Sequence, residues 1–146
     1  MHVPPPLIFA CAFALGWLLQ RRFPFSAWPR SLGRVLAWPC LAGSALLAAW
    51  GFSWFMRRRT SPIPFRPSAA LITSGPYRFS RNPLYLSLVL LYASLALRFA
   101  VPWAVLFLFP ALAALQRWII AEEERGLERQ FGRDYLDYKT RVRRWL

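Results

Sequence analysis

The chain has 146 residues, enough for one domain, and 57% of them are apolar, yet 19 Lys and Arg face six Asp and Glu, for a formal charge of +13. Such a charge is typical of nucleic-acid-binding domains, but the arginines lie between long apolar blocks and eight tryptophans accompany them. This distribution excludes a nucleic-acid partner and predicts a membrane protein. A single histidine, His2, and two cysteines without ligand spacing, Cys11 and Cys40, argue against a metal site.

Four apolar blocks along the chain predict membrane-spanning helices. The second block has 22 residues without a charge, about 33 Å as a helix, whereas the hydrocarbon core is about 30 Å thick. The fourth is similarly long, and the first and third are shorter, with about 14 residues each. Arg21 and Arg22 follow the first block, which favours a retained helix over a cleaved signal peptide. The blocks are Pro6–Leu19, Val35–Met56, Leu84–Leu97 and Ala100–Ile120.

Basic residues are unevenly distributed between the two predicted sides of the membrane. The loop Arg57–Arg81 carries six and the stretch from Arg117 onward carries eight, against five on the opposite side. By the positive-inside rule, the central loop and both termini are cytoplasmic, in what we expect to be a bacterial inner membrane. The predicted fold is all-α: a single integral-membrane domain over residues 1–146, a polytopic bundle of about four spans. Only Arg98 and Phe99 separate the third and fourth spans, which therefore form a helical hairpin.

A polar stretch precedes the third span, Ser74–Ser87, with the sequence SGPYRFSRNPLYLS. Asn82 and Pro83 are a helix-start signal, with Asn as N-cap and Pro in the first turn. A helix N-terminus beside Arg78 and Arg81 combines free N–H groups, the helix dipole and fixed positive charge, which suits an anion. Alternatively, these arginines set topology and contact lipid phosphates, with the neighbouring tyrosines at the interface. The preceding loop, Thr60–Ser74, is rich in Pro and is predicted to be ordered but not helical.

After the fourth span, apolar residues recur at spacings of three and four, which predicts a basic amphipathic helix on the cytoplasmic side. We expect its apolar face to lie on the inner leaflet, with a bend near Gly132. The face consists of Leu127, Phe131, Tyr135, Tyr138 and Val142.

Three of the six acidic residues are consecutive, Glu122 to Glu124, at the end of the fourth span. Adjacent carboxylates repel one another unless cations pair with them. One interpretation is a solvated junction paired with Arg117, Arg125 and Arg129. The other is a site for a cation or an amine at the membrane surface.

Together, the motifs GPYRFSRNPLY and EERGLERQFGRDYLDYKTRV resemble the integral-membrane methyltransferases related to isoprenylcysteine carboxyl methyltransferase and phospholipid N-methyltransferase. The resemblance covers residues 62–142 approximately, in the order of the family pattern and separated by one hairpin-length apolar stretch. It is carried in the first half by Gly75, Pro76, Tyr77, Arg78, Arg81, Asn82, Pro83 and Tyr85, and in the second by Glu123, Glu124, Leu127, Phe131, Gly132, Tyr135 and Tyr138.

The resemblance implies S-adenosylmethionine as cofactor, held by the eight residues of the first motif together with Glu123 and Glu124. Arg81 and Asn82 suit its carboxylate, and either glutamate suits its ammonium group. Arg81 and Glu123 are positioning candidates, and we assign no acid or base, because methyl transfer needs alignment more than proton transfer. A weaker set of substrate-binding candidates comprises Tyr135, Tyr138, Arg141, Arg143 and Arg144.

The acceptor implied by the resemblance is lipophilic: a prenylcysteine-type carboxylate, a lipid amine or a similar group, free or on a lipidated substrate. Two departures from the family pattern prevent a closer assignment, since Asn82 replaces a common histidine and Ser87 stands where glycine is frequent. The alternatives are a related membrane reductase-like protein that binds another nucleotide, and a non-enzymatic scaffold that binds anionic lipid. The oligomeric state stays open.

Overall fold

A computed structural model describes residues 4–59 and 70–146, and these residues form helices and turns without a strand. The prediction of an all-α fold is confirmed for this part of the chain. Most of the loop predicted over Thr60–Ser74 lies outside the described residues. The helices are α1 (Pro5–Arg22), α2 (Arg30–Arg57), α3 (Pro83–Arg98), α4 (Pro102–Ala114), α5 (Ala121–Phe131) and α6 (Arg133–Arg141), with a 3₁₀ turn at Gly75–Arg78 and a π-helical segment at Leu115–Ile120 that joins α4 to α5.

Two helices are long and apolar enough, by length and composition, to cross a membrane. They are α2 and the continuous helix from Pro102 to Phe131, and α3 is apolar but has only 16 residues. Three of the four predicted blocks lie within α1, α2 and α3, whereas the fourth begins two residues before α4, because Ala100 and Val101 belong to the connection between α3 and α4. The fourth helix, however, continues well past Ile120, so the three glutamates lie inside a helix and not at its end.

Small residues bring α2 and α3 close together in an antiparallel pair. Gly33 faces the end of α3 and Gly51 faces its beginning: a Cβ atom at Gly33 would lie 2.5 Å from the carbonyl oxygen of Leu97, and one at Gly51 would lie 2.6 Å from Leu84 Cδ2. Ser94 Oγ donates a hydrogen bond of 3.0 Å to the Ala37 carbonyl, and a second serine bond joins the helices further along. Such small, hydroxyl-bearing interfaces are typical of helices that pack in a membrane.

Helices α1 and α4 form the second antiparallel pair. A Cβ atom at Gly16 would lie 2.6 Å from the Cα atom of Ala104, and the indole of Trp103 donates to the carbonyl of Phe23, the residue that follows α1. The main apolar core lies between this pair and α3, where Tyr92 donates to the Ala104 carbonyl at 2.6 Å. A connection of three residues joins α3 to α4, as the predicted hairpin requires, but each packs chiefly on an earlier helix.

The chain bends at Gly132, as predicted, because this residue has a φ of +52° and separates α5 from α6. The bend directs the apolar face of α6 onto the end of α2 and the 3₁₀ turn. Tyr135 is 1% exposed and Tyr138 is 4% exposed, in a cluster that includes Trp54 and Tyr77. The prediction that this face lies on the bilayer is therefore wrong for both tyrosines. Periodicity reports an apolar face but not which apolar surface covers it.

Candidate functional site

The 3₁₀ turn at Gly75–Arg78 begins the site. Gly75 has a φ of +64°, and a Cβ atom there would overlap the indole of Trp54, so the turn needs a glycine at this point. The turn buries Pro76 and Tyr77 and leaves Arg78 exposed. Tyr138 donates a hydrogen bond of 2.7 Å to the Tyr77 carbonyl, which fixes the turn against α6.

Helix α3 begins at Pro83, as predicted, but Asn82 does not cap it with its side chain. Its Nδ2 atom instead donates a bond of 3.0 Å to the carbonyl oxygen of Arg144. Ser87 bonds back into its own helix, to the Leu84 carbonyl at 2.7 Å, as expected for a serine on an apolar helix. The amide predicted to hold a cofactor carboxylate is thus engaged with the end of the chain.

Residues Arg143–Leu146 form a non-helical segment, the C-terminal strap, that contacts the start of α3. The Arg81 amide donates to the Arg143 carbonyl at 3.0 Å, and Ser80 Oγ donates to the Arg144 carbonyl at 3.3 Å. Trp145 packs against the main core. No role was predicted for Ser80, and Arg143 and Arg144 were predicted only as substrate-binding side chains, because a bond to a main-chain carbonyl leaves no signature in the residue that provides it.

Glu124 forms a buried ion cluster with two arginines. Its side chain is 8% exposed and accepts two bonds from Arg144, from Nε at 3.0 Å and from Nη2 at 2.6 Å. Arg81 Nη1 lies 3.2 Å from Oε1 of the same carboxylate. The hydrogen bonds that Arg144 donates to Glu124 raise the pKa of Arg144 above its ordinary value. Arg81 therefore pairs with Glu124, and among the described residues no ion pair joins it to Glu123, the other positioning candidate.

The guanidinium of Arg81 is not fully satisfied by this cluster. Its side chain is 10% exposed, and its buried Nε atom has no hydrogen-bond partner among the described residues. A buried donor without an acceptor costs about 1–3 kcal/mol, and more when it is charged. This donor is therefore available to an anionic ligand.

Glu123 has different surroundings, although it is the next residue in the chain. Tyr85 donates a hydrogen bond of 2.9 Å to Glu123 Oε2, and no cation contacts this carboxylate among the described residues. Burial, and in second place the charge of Glu123, raises the pKa of the Tyr77 hydroxyl above its ordinary value. The tyrosines therefore stay neutral, and Glu123 is a carboxylate in partly buried surroundings without a counter-ion.

Glu122 and the remaining arginines lie on the surface. Glu122 pairs with Arg125 at 2.7 Å and with Arg129 at 3.4 Å, so the interpretation as a solvated junction applies to this glutamate. Arg141 bonds to the Asp137 carbonyl on the exposed side of α6, and the side chain of Arg143 is also exposed. The structure therefore separates the predicted substrate-binding residues. Tyr135 and Tyr138 are buried, Arg144 belongs to the ion cluster, and Arg141 and Arg143 are exposed.

A family model described as phospholipid methyltransferase matches residues 32–134, which include α3, the motif at its start and all three glutamates. The chain belongs to the phospholipid methyltransferase family. An uncharacterized protein of Haemophilus influenzae is 40% identical over 65 residues, which cover 43% of this chain and 100% of that protein. No solved structure matches the chain. The resemblance recognised in the two motifs is confirmed.

Membership in this family implies a methyltransferase. Together with the two long apolar helices, it indicates a membrane protein with a lipid-type acceptor. Among the described residues, no group of three or more histidine, cysteine, aspartate and glutamate side chains is arranged to hold a metal ion.

Proposed function

We propose that the protein transfers a methyl group from S-adenosylmethionine to a lipophilic acceptor at the cytoplasmic face of a bacterial inner membrane. In this proposal residues 1–146 act as one domain, α1 to α4 cross the bilayer, and both termini are cytoplasmic. Family membership supports the reaction class. The antiparallel pairing of the helices and the excess of arginine beyond Arg57 and Arg117 support the orientation.

One observation carries the proposal: two nearby groups of opposite charge are only partly paired. Among the described residues, Glu123 accepts a bond from Tyr85 but has no counter-ion, and Arg81 pairs with Glu124 but has a buried Nε donor without an acceptor. The two groups are linked through Glu124, which adjoins one in sequence and contacts the other. This arrangement fits the amino-acid part of S-adenosylmethionine, which has one ammonium and one carboxylate.

The proposal assigns different tasks to the adjacent glutamates. Glu124 is already neutralised by Arg81 and Arg144, so a further cation would have to compete with two guanidinium groups. Glu123 has only the Tyr85 hydroxyl, and a cation would gain a charge-assisted bond there. We therefore infer that Glu123 binds the ammonium group, Arg81 Nε donates to the carboxylate, and Glu124 holds Arg81 in place.

S-adenosylmethionine supplies an activated methyl group on a sulfonium. The chain supplies orientation and a neutral aromatic surface. Tyr77 and Tyr85 stay un-ionised in their buried positions, and a neutral ring face attracts a cation. Transfer by in-line displacement depends on alignment, which two opposite anchoring charges provide without a histidine.

The depth of the site supports a lipophilic acceptor. Gly51 of α2 packs on Leu84 at the start of α3, and the apolar stretch of α2 continues for five more residues to Met56. At a rise of 1.5 Å per residue this is about 7 Å. Tyr85 and Glu123 therefore lie below the end of the apolar part of α2. An acceptor can present its head group there while its chains remain in the bilayer.

The test is the equilibrium binding of S-adenosylmethionine to purified protein in detergent, measured by calorimetry. We expect Glu123→Gln to lose about 1.5–3 kcal/mol of binding free energy, roughly ten- to hundredfold in Kd, because a charged hydrogen bond is lost. Glu122→Gln makes the same charge change on the surface and should bind like the wild type.

Two results would count against the proposal. Failure of the wild type to bind at millimolar cofactor would sink the assignment, and saturable binding of NADPH instead would favour the reductase-like alternative. Unchanged affinity in Glu123→Gln would place the ammonium site elsewhere. Incubation with methyl-labelled cofactor and a lipid extract, followed by mass analysis, then distinguishes a lipid amine from a prenylcysteine-type carboxylate.

A further inference from the structure

The C-terminal strap covers the part of the site that contains Arg81. Main-chain carbonyls of Arg143 and Arg144 accept bonds from three groups at the start of α3: the Arg81 amide, Ser80 Oγ and Asn82 Nδ2. On its far side the strap is fixed by Trp145 against the main core. These contacts leave the Arg81 side chain 10% exposed.

The strap depends on few interactions for its position. Val142 is extended and no helix includes the residues after it, so the strap has no hydrogen-bonded secondary structure of its own. Among the described residues, its ion pair is the two-bond contact between Arg144 and Glu124. Bidentate guanidinium–carboxylate contacts are strong and directional. Segments held by a few such contacts can open without unfolding the helices beneath them.

The strap is bonded to the residue whose side chain has a donor that needs a partner. Arg81 Nε is buried and has no acceptor among the described residues, and the Arg81 amide donates to the strap. A carboxylate would satisfy this donor, but because the atom is buried, a neighbouring segment must move before a carboxylate can reach it from solvent. Closure of the strap over a bound carboxylate would remove the cost of the unpaired donor.

We propose that the strap is a gate, which opens to admit a carboxylate-bearing ligand to Arg81 and closes over it, held by the ion pair between Arg144 and Glu124. The inference rests on the proposed function, in which this ligand is S-adenosylmethionine. Arg144 is then a positioning residue: it does not touch the ligand, and it acts through Glu124 and through the position of the strap.

Rates of cofactor binding test the gate. We compare association of labelled S-adenosylmethionine, and its release into an excess of unlabelled cofactor, in the wild type, Arg144→Gln and the control Arg133→Gln. Arg133 is exposed on α6, so the control makes the same charge change outside the strap. We expect Arg144→Gln to raise koff at least about tenfold and to raise kon as well, because a strong charged contact closes the gate. Arg133→Gln should leave both rate constants unchanged.

Two kinetic outcomes would overturn the gate. If koff is unchanged in Arg144→Gln, the ion pair does not retain the ligand. If kon falls while koff stays the same, Arg144 attracts the ligand by its charge and does not close a gate. Thermal unfolding of each variant in detergent shows whether it is folded.

Hydrogen exchange on the wild-type protein tests the same inference without a substitution. The Arg81 amide has its acceptor in the strap, at the Arg143 carbonyl, so its exchange requires the strap to open. Saturating S-adenosylmethionine should slow exchange in the peptide that contains Arg81. Exchange that is unchanged at saturation overturns the gate and leaves the proposed function intact, whereas absence of cofactor binding by the wild type overturns both.

Discussion

The interface between α2 and α3 and the group of elements packed at its end, which we call the cap, are formed by different kinds of residue. The interface uses glycine and serine, with neutral hydroxyls that donate to main-chain carbonyls of the facing helix. The cap, which comprises the 3₁₀ turn, α5, α6 and the C-terminal strap, uses tyrosines and a buried cluster of three charges. Short neutral contacts fix helices where water is absent, whereas charged contacts can be exchanged for contacts with a ligand. The interface therefore suits a scaffold, and in the proposed function the cap is the part that responds to ligands.

The largest effect should come from the charge that holds the cap together. Glu124→Gln leaves Arg81 and Arg144 buried without their carboxylate, and breaking a buried ion pair in this way costs about 3–5 kcal/mol. We expect the thermal unfolding midpoint in detergent to fall clearly, and that of Glu122→Gln to stay close to the wild type because its partners are exposed. Equal midpoints for the two variants would show that the cluster does not hold the cap.

Two glycines of the cap separate the effect of packing from that of backbone strain. Gly75 and Gly132 both have positive φ, but a side chain at Gly75 meets the Trp54 indole while Gly132 has nothing within 4 Å. A side chain at either site is strained by the positive φ, at a cost of about 1–3 kcal/mol. Gly75→Ala should cost about 1–3 kcal/mol more for the overlap. Thermal unfolding of both variants measures the difference, and similar losses would mean that Trp54 moves aside freely.

The smallest effect is expected in the scaffold. Ser94→Ala removes the bond to the Ala37 carbonyl, and a hydrogen bond between membrane helices averages about 0.6 kcal/mol. Ser53→Ala is the control, because its hydroxyl bonds back within α2 to Trp50. Neither variant should change the Kd for S-adenosylmethionine. A loss of cofactor binding in Ser94→Ala would contradict the division into scaffold and cap.

Features encoded by local signals could be predicted from the sequence. Asn82 followed by Pro83 marks the start of α3, Gly132 marks the bend, and the hydroxyl of Ser87 bonds back within its helix. Each of these depends on a few consecutive residues. The two motifs together also identified the family, over a stretch that includes the start of α3 and all three glutamates.

Which glutamate meets which arginine could not be predicted. Successive residues on a helix point about 100° apart, so the directions of the Glu123 and Glu124 side chains depend on how the preceding part of the helix is rotated about its axis. The π-helical segment Leu115–Ile120 changes that rotation, and no feature of its sequence predicts a π-helix there. Arg143 and Arg144 were predicted as substrate-binding side chains, whereas the contacts of their main-chain carbonyls could not be predicted, since every residue has a carbonyl group.

In the proposed function α3 crosses the bilayer, and its short length then has a consequence for the surrounding lipids. Its 16 residues extend about 24 Å, less than the hydrocarbon thickness of about 30 Å, whereas its neighbour α2 has 28 residues. A bilayer accommodates such a difference by becoming thinner around the short helix, at a modest elastic cost per ångström of mismatch. Thinning beside α3 would lower phospholipid head groups toward Tyr85 and Glu123. In that case the deformation of the membrane itself delivers the acceptor, and the protein need not lift a lipid out of its leaflet.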